Sequence, residues 1–197
     1  MKVQPPPLTA CLLAGGKSSR MGRDKAGVEF LGTPLWQHQL HTLQKTGANE
    51  ILISGRKDAC YGGSGVTVIE DEIKNTGPLA GIATMLEAAT NPLVLMLAVD
   101  MPYMTDAFLL SLREQSSVTR GAVPELDGFF EGVAAIFPKS AGVIATRILQ
   151  GNDHSIQHFV RECVANEQVK IVTVSNDETA LFKSLNAPSD LLETQKD

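Results

Sequence analysis

Leu12-Leu13-Ala14-Gly15-Gly16-Lys17-Ser18-Ser19-Arg20-Met21-Gly22-Arg23-Asp24-Lys25 runs from an apolar segment into paired glycines and then into four cations, Lys17, Arg20, Arg23 and Lys25. A continuous apolar run is how a buried parallel strand reads. Paired glycines let the backbone turn sharply and approach a ligand closely. Amide N–H groups presented by such a loop, with Lys and Arg beside them, suit a polyphosphate. The paired glycines alone fit a plain tight turn equally well; the four cations beside them favour a phosphate over a solvated loop, and the remaining chain must supply the other parts of a site.

Working outward, the chain alternates strand-like and helix-like patterns. Leu8 to Ala14 reads as the first strand. Thr33-Pro34 reads as an N-cap and first helical position. Leu35, Trp36, Gln39, Leu40 and Leu43 follow helical spacing over Leu35 to Thr46, with Gly47 as the stop. Glu50 to Ser54 is a second strand, and Tyr61-Gly62-Gly63-Ser64-Gly65 a flexible connector. Val66 to Glu70 is a third strand ending at Asp71, and Thr76 to Gly81 opens a helix to Ala89 with Leu79, Ile82, Ala83, Leu86 and Ala89 as its buried stripe.

Leu93 to Val99, the most apolar run, reads as a central strand covered on both faces and stops at Asp100-Met101-Pro102. Thr105 to Gln115 is helical with Thr105 as N-cap. Beyond it, Gly121 to Glu125 and Glu131 to Phe137 read as strands about a turn at Asp127-Gly128. Helices at Lys139 to Leu149 and Ser155 to Ala165, a strand at Val169 to Val174 and a helical turn at Pro188 to Glu193 complete the pattern. The order predicts an α/β fold, a single-domain doubly wound (Rossmann-like), mostly parallel sheet with right-handed crossovers.

Composition narrows the function classes. The chain has 197 residues, 43% apolar and 20% charged, which suits one globular domain with a sizeable core. Seventeen basic against twenty-two acidic residues give a net charge of −5, which argues against nucleic acid or an anionic membrane as main partner. Three cysteines, Cys11, Cys60 and Cys163, lack metal-type spacing and suggest reduced thiols in the cytoplasm, with Cys11 in the core. No targeting segment and no apolar run of about 20 residues is visible, so a soluble, cytoplasmic setting is expected.

Ligands of open α/β sheets bind outside the carboxyl ends of the parallel strands. The Gly15-to-Lys25 loop, Asp71 and Asp100 all sit at such ends. Asp71 also fits a plain strand end, and Asp100 a cap of the next turn; their coincidence favours a site. A carboxylate at the end of the central strand, facing a triphosphate, is a natural Mg²⁺ ligand, because this ion takes one or two carboxylates plus phosphate oxygens and water. Gly16-Lys17-Ser18 has the ending of a Walker A loop, but Cys11 stands where that motif needs glycine. Gly15-Gly16 to Gly22 is not Gly-x-Gly-x-x-Gly. His154 and His158, four apart on a predicted helix, lack the Glu of a metalloprotease and read as surface or structural; His38 and His41 read as helix surface.

Leu13-Ala14-Gly15-Gly16-x-Ser18-x-Arg20-Met21-Gly22-x-Asp24-Lys25 resembles the signature of nucleotidyltransferases related to molybdenum cofactor guanylyltransferase. The likeness continues through Gly32-Thr33-Pro34-Leu35, Ile69-Glu70-Asp71, Gly77-Pro78-Leu79-Ala80-Gly81, Asp100-Met101-Pro102 and Asn186-Ala187-Pro188-Ser189-Asp190-Leu191. The Ala14-Gly15-Gly16 form, with Asp24-Lys25, resembles the guanylyl branch more than the cytidylyl branch, which usually reads Ala-Ala-Gly.

The resemblance implies the nucleotide-diphospho-sugar transferase type of sheet, with residues 8–105 as nucleotide-binding half and 106–197 as acceptor-binding half of one domain, residues 1–7 being expected as extended or flexible. It implies transfer of GMP from GTP to molybdopterin with release of pyrophosphate. Leu13, Ala14, Gly15 and Gly16 would lie against the nucleotide, Lys25 on its phosphates with help from Arg20. Asp71, Gly77, Pro78, Leu79 and Gly81 would contact guanine and ribose, and Asp100 would bind Mg²⁺ with Asn186 nearby. Molybdoenzymes or other cofactor-biosynthesis proteins are the expected protein partners. The chain departs from the family pattern at Glu131-Gly132, where relatives often carry His-Pro, and at His154, where they more often carry arginine. A cytidylyltransferase, a sugar-phosphate or phospholactate nucleotidyltransferase, and a non-catalytic cofactor-delivery protein stay open as alternatives.

Overall fold

All six residues of β1 (Leu8–Leu13) are buried, and this strand lies inside the sheet with partners on both sides. The computed structural model describes residues 5–15, 25–56, 60–61, 64–70 and 77–185. After β1 the described chain resumes at a 3-10 turn, Lys25–Gly27, followed by short strands β2 (Glu29–Phe30) and β3 (Thr33–Pro34) and helix α1 (Leu35–Gln44). Then come β4 (Glu50–Ser54), β5 (Thr67–Ile69), α2 (Pro78–Ala88), β6 (Leu93–Ala98) and α3 (Asp106–Glu114). Strands β7 (Gly121–Leu126), β8 (Phe129–Phe130) and β9 (Ala134–Pro138) lead through a 3-10 turn to α4 (Gly142–Leu149). Helix α5 (Ile156–Ala165), β10 (Val169–Thr173) and a 3-10 segment, Asn176–Phe182, follow.

The main sheet has the order β10-β7-β9-β6-β1-β4-β5, with β8 paired to β7. Strands β6, β1, β4 and β5 are parallel, as is the pair β7 and β10, whereas β9 runs antiparallel to both β6 and β7. The sheet is therefore mixed, though mostly parallel. The chain leaves β7 through a hairpin at Asp127-Gly128 and not through a helical crossover, and only an antiparallel return permits so short a link. Glu131 to Phe137 is accordingly not one strand: Phe129–Phe130 forms the return arm of the hairpin, and β9 begins at Ala134.

Helices cover both faces, as the alternating pattern predicts. Leu8, Ala10 and Leu12 face α1 and α3 through Leu40, Leu43, Leu109 and Leu112. Cys11 and Leu13 belong to the other core, with Leu79, Ile82 and Leu86 of α2, Ile144 of α4 and Phe159 of α5. Burial pushes the thiols of Cys11 and Cys163 upward, Cys163 to about 12, so both behave as inert core side chains. Among the described residues no helix is long and apolar enough to cross a membrane.

Other expectations are met or corrected locally. Thr105 caps α3 by accepting from Phe108 N, and Ser155 caps α5 by accepting from His158 N. Thr33-Pro34 is no cap: it pairs with β2, and Leu35 N donates to Val28 O at 2.8 Å. Helix α1 ends at Gln44, and β5 is only Thr67–Ile69. Tyr61, expected in a flexible connector, is buried edge-on against Trp36. The turn expected at Pro188 to Glu193 lies outside the described residues.

Candidate active site

Parallel strands place their carboxyl ends on one edge, so Gly15 after β1, Glu70 after β5 and Asp100 after β6 share a rim. Across that rim Lys25 Nζ lies 2.8 Å from Asp100 Oδ2, a contact between residues 75 apart in sequence. Both side chains keep some exposure, 22% and 23%. Each is therefore open to an incoming ligand and shielded enough for its charge to count.

Local structure fixes Lys25 from one side. Ala26 is fully buried, and Val28 N donates to Lys25 O at 3.1 Å, which closes the 3-10 turn. The β2–β3 hairpin follows, turning at Leu31 (φ 50°) and Gly32 (φ 78°), both in the left-handed region. Phe30 anchors it, packing edge-on against His38 and Tyr103 with ring centroids 5.2 and 5.4 Å apart. Tyr103 belongs to the loop that carries Asp100, so one aromatic contact couples the two charged groups.

Asp100 is held by its backbone neighbours. Val99 N donates to Leu13 O at 3.0 Å, and Leu185 N donates to Asp100 O at 2.8 Å. Gln39, fully buried in α1, donates through Nε2 to Met101 O and Ala98 O. His38 Nε2 donates to Pro102 O at 2.9 Å, so His38 braces this loop and is not the surface histidine expected. Sequence reasoning missed both roles, although Gln39 carried a signal: a glutamine on the apolar stripe of a helix must find buried polar partners.

The other expected nucleotide contacts are placed as follows. Leu13 and Ala14 are buried and Gly15 is exposed. Ala14 N donates to Ser54 O at 2.9 Å, which fixes the strand end before the glycine loop. Gly77 precedes α2, Pro78 takes its first turn, and Leu79 and Gly81 are buried against the sheet. Among the described residues no side chain caps α2, so its first-turn amides face the rim without one. Gly16, Arg20, Asp71 and Asn186 lie outside the described residues.

In the half expected to hold the acceptor, Glu131 is half-buried, and burial pushes its carboxyl above the usual glutamate range. A Cβ at Gly132 would stand 2.5 Å from Ile156 Cγ2, so glycine there lets α5 close onto the strand. His154 precedes α5 instead of lying on it, and bonds Gly151 O at 2.8 Å. His158 reaches back to Asp153 O at 3.1 Å. The two histidines are structural, and among the described residues no group of three His, Cys, Asp or Glu is arranged to hold a metal.

Residues 10–169 match the family model described as the MobA-like NTP transferase domain. A probable molybdenum cofactor guanylyltransferase from Opitutus terrae is 35% identical over 186 residues, covering 93% of this chain and 92% of that protein. Two solved structures share the fold. A nucleotidyl transferase from Methanothermobacter thermautotroptrophicus superposes with a TM-score of 0.77 at 18% identity, over 95% of each chain. Molybdopterin-guanine dinucleotide biosynthesis protein A from Archaeoglobus fulgidus gives 0.74 at 20% identity, over 95% of this chain and 97% of that one. By the span of the family model and the likeness to its curated relative, the chain belongs to the MobA-like NTP transferase family.

Proposed function

We propose that this protein transfers GMP from GTP to the terminal phosphate of molybdopterin, releasing pyrophosphate and forming the guanine dinucleotide of the cofactor. The observation that carries the chemistry is the Lys25–Asp100 contact of 2.8 Å at the carboxyl edge of the sheet. The donor and acceptor follow from the relatives, among them the probable guanylyltransferase that matches nearly the whole chain. In this reading residues 8–105 hold the nucleotide and 106–197 the acceptor.

An acceptor phosphate oxygen forms a bond to the α-phosphorus, and the bond from that phosphorus to the β-bridging oxygen breaks. Pyrophosphate leaves with the electron pair. The attacking oxygen is already anionic, so no general base is required, and positioning and charge neutralisation carry the acceleration. Lys25 neutralises the α-phosphate as charge builds there. Leu13, Ala14 and Gly15 lie against the nucleotide, and the first-turn amides of α2 face it.

The donor set suits Mg²⁺: one partly exposed carboxylate, Asp100, at the strand end, with the remaining positions left to phosphate oxygens and water. Asp100 would hold the ion, with Asn186 as its expected neighbour. When bound, the ion neutralises phosphate charge and favours departure of pyrophosphate. Until substrate arrives, Asp100 and Lys25 satisfy each other.

Thermal melting with Mg²⁺ and each of GTP, CTP, UTP and ATP tests the nucleotide assignment. At a hundredfold excess over Kd, GTP should stabilise by about 2.7 kcal/mol, a rise of about 5–10 °C for a chain of this size. The other three should shift the melt far less. Equal stabilisation by CTP would overturn the guanine assignment.

A further inference from the structure

The hairpin after β7 presents an aromatic ring and a carboxylate that the mechanism above does not use. Glu125 pairs with Phe130 and Leu126 with Phe129, and Glu131 N donates to Pro124 O at 2.9 Å, which continues the pairing by one residue. Phe130 packs into the core beneath α5, and the Cβ position of Gly132 faces Ile156 and Val160 of that helix. Because strand side chains alternate, Phe129 and Glu131 share the opposite face with Leu126. Phe129 is 64% exposed.

Glu131 is half-buried, and no described residue donates a hydrogen bond to its carboxylate or pairs with it. A carboxylate in that condition carries a desolvation cost that a ligand's N–H groups would offset. The position is close to the reaction centre. Val133 O accepts from Ala98 N at 2.8 Å; Val133 follows Glu131 by two residues just before β9, and Ala98 ends β6 two residues before Asp100.

We propose that Glu131 and Phe129 form the subsite for the pterin ring of the acceptor. An ionised carboxylate accepts only, and its two oxygens match a pair of adjacent donors. The amino-pyrimidinone edge of a pterin offers such a pair, its ring N–H and its exocyclic amino group. Phe129 stacks on the ring face. This inference rests on molybdopterin being the acceptor. Guanine presents the same donor edge, so the substrate whose KM moves distinguishes the two ligands.

Steady-state kinetics with Mg²⁺-GTP and molybdopterin on the full chain tests the subsite. Glu131→Gln, which keeps size and removes charge, should raise the KM for molybdopterin about tenfold or more. The KM for GTP and kcat should stay near wild type. Phe129→Ala should raise the same KM about three- to tenfold, and Phe129→Tyr should restore it. Unchanged acceptor KM in both Glu131→Gln and Phe129→Ala, or a KM for GTP that rises in step, overturns the subsite. A wild-type protein that turns over no molybdopterin contradicts the proposed function, and titration with the fluorescent 6-hydroxymethylpterin then decides the subsite. Saturable binding weakened about tenfold by Glu131→Gln supports it; equal binding, or none to either protein, overturns it.

Discussion

Lys25→Ala is expected to lower kcat/KM for GTP by about 10²–10³-fold, with pyrophosphate release as the assay. The magnitude is that of removing a single preorganised donor from a site where charge develops in the transition state. The same substitution should barely change stability. Lys25 and Asp100 are each about one-fifth exposed, and ion pairs of that kind contribute about 1 kcal/mol or less. For a chain of this size that is a Tm change of about 2–4 °C at most. Activity and stability thus separate, as they should if the pair exists to meet a substrate. A Tm fall in proportion to the loss of activity would mean that Lys25 mainly holds the fold together.

Gly121→Ala is expected to produce the largest loss of stability. Gly121 opens β7 between β9 and β10, and Gly121 N donates to Gln168 O at 2.8 Å. A Cβ there would stand 1.9 Å from Ile136 O, 2.7 Å from Ile136 C and 2.9 Å from Phe137 Cα. All three are backbone atoms of β9, so no side chain can rotate away and the strands themselves must separate. Overpacking of this kind costs about 3 kcal/mol or more, which lowers Tm by at least about 6–12 °C. Calorimetry measures it, and an unchanged Tm would show that β9 yields without cost.

The elements most legible in the sequence were those whose signals are local. Glu50 to Ser54 needed only its apolar run, α3 only its cap Thr105, and the turn after β7 only Asp127-Gly128. The antiparallel return of β9 was not legible, because its direction follows from a two-residue strand, Phe129–Phe130, too short to show a period. Nor was the β2–β3 hairpin, whose four strand residues include Pro34, a residue that reads more naturally as a helix start.

The site divides in the same way. Lys25 and Asp100 were each legible from strand-end placement and from family resemblance, but their contact spans 75 residues and no spacing encodes it. Gln39 and His38 looked like ordinary helix positions, because the loop they brace is brought to them by the fold. Glu131 was visible as a departure from relatives, yet its half-buried state, with no partner among the described residues, follows from the packing of the hairpin against α5.

The most direct test of guanylyl transfer is identification of the product by mass. The protein is incubated with Mg²⁺, molybdopterin and each of the four nucleoside triphosphates in turn. Only the GTP reaction should yield a new species heavier than molybdopterin by one GMP less water, with pyrophosphate released in equal amount. A CMP adduct, or no adduct with any nucleotide, would contradict it.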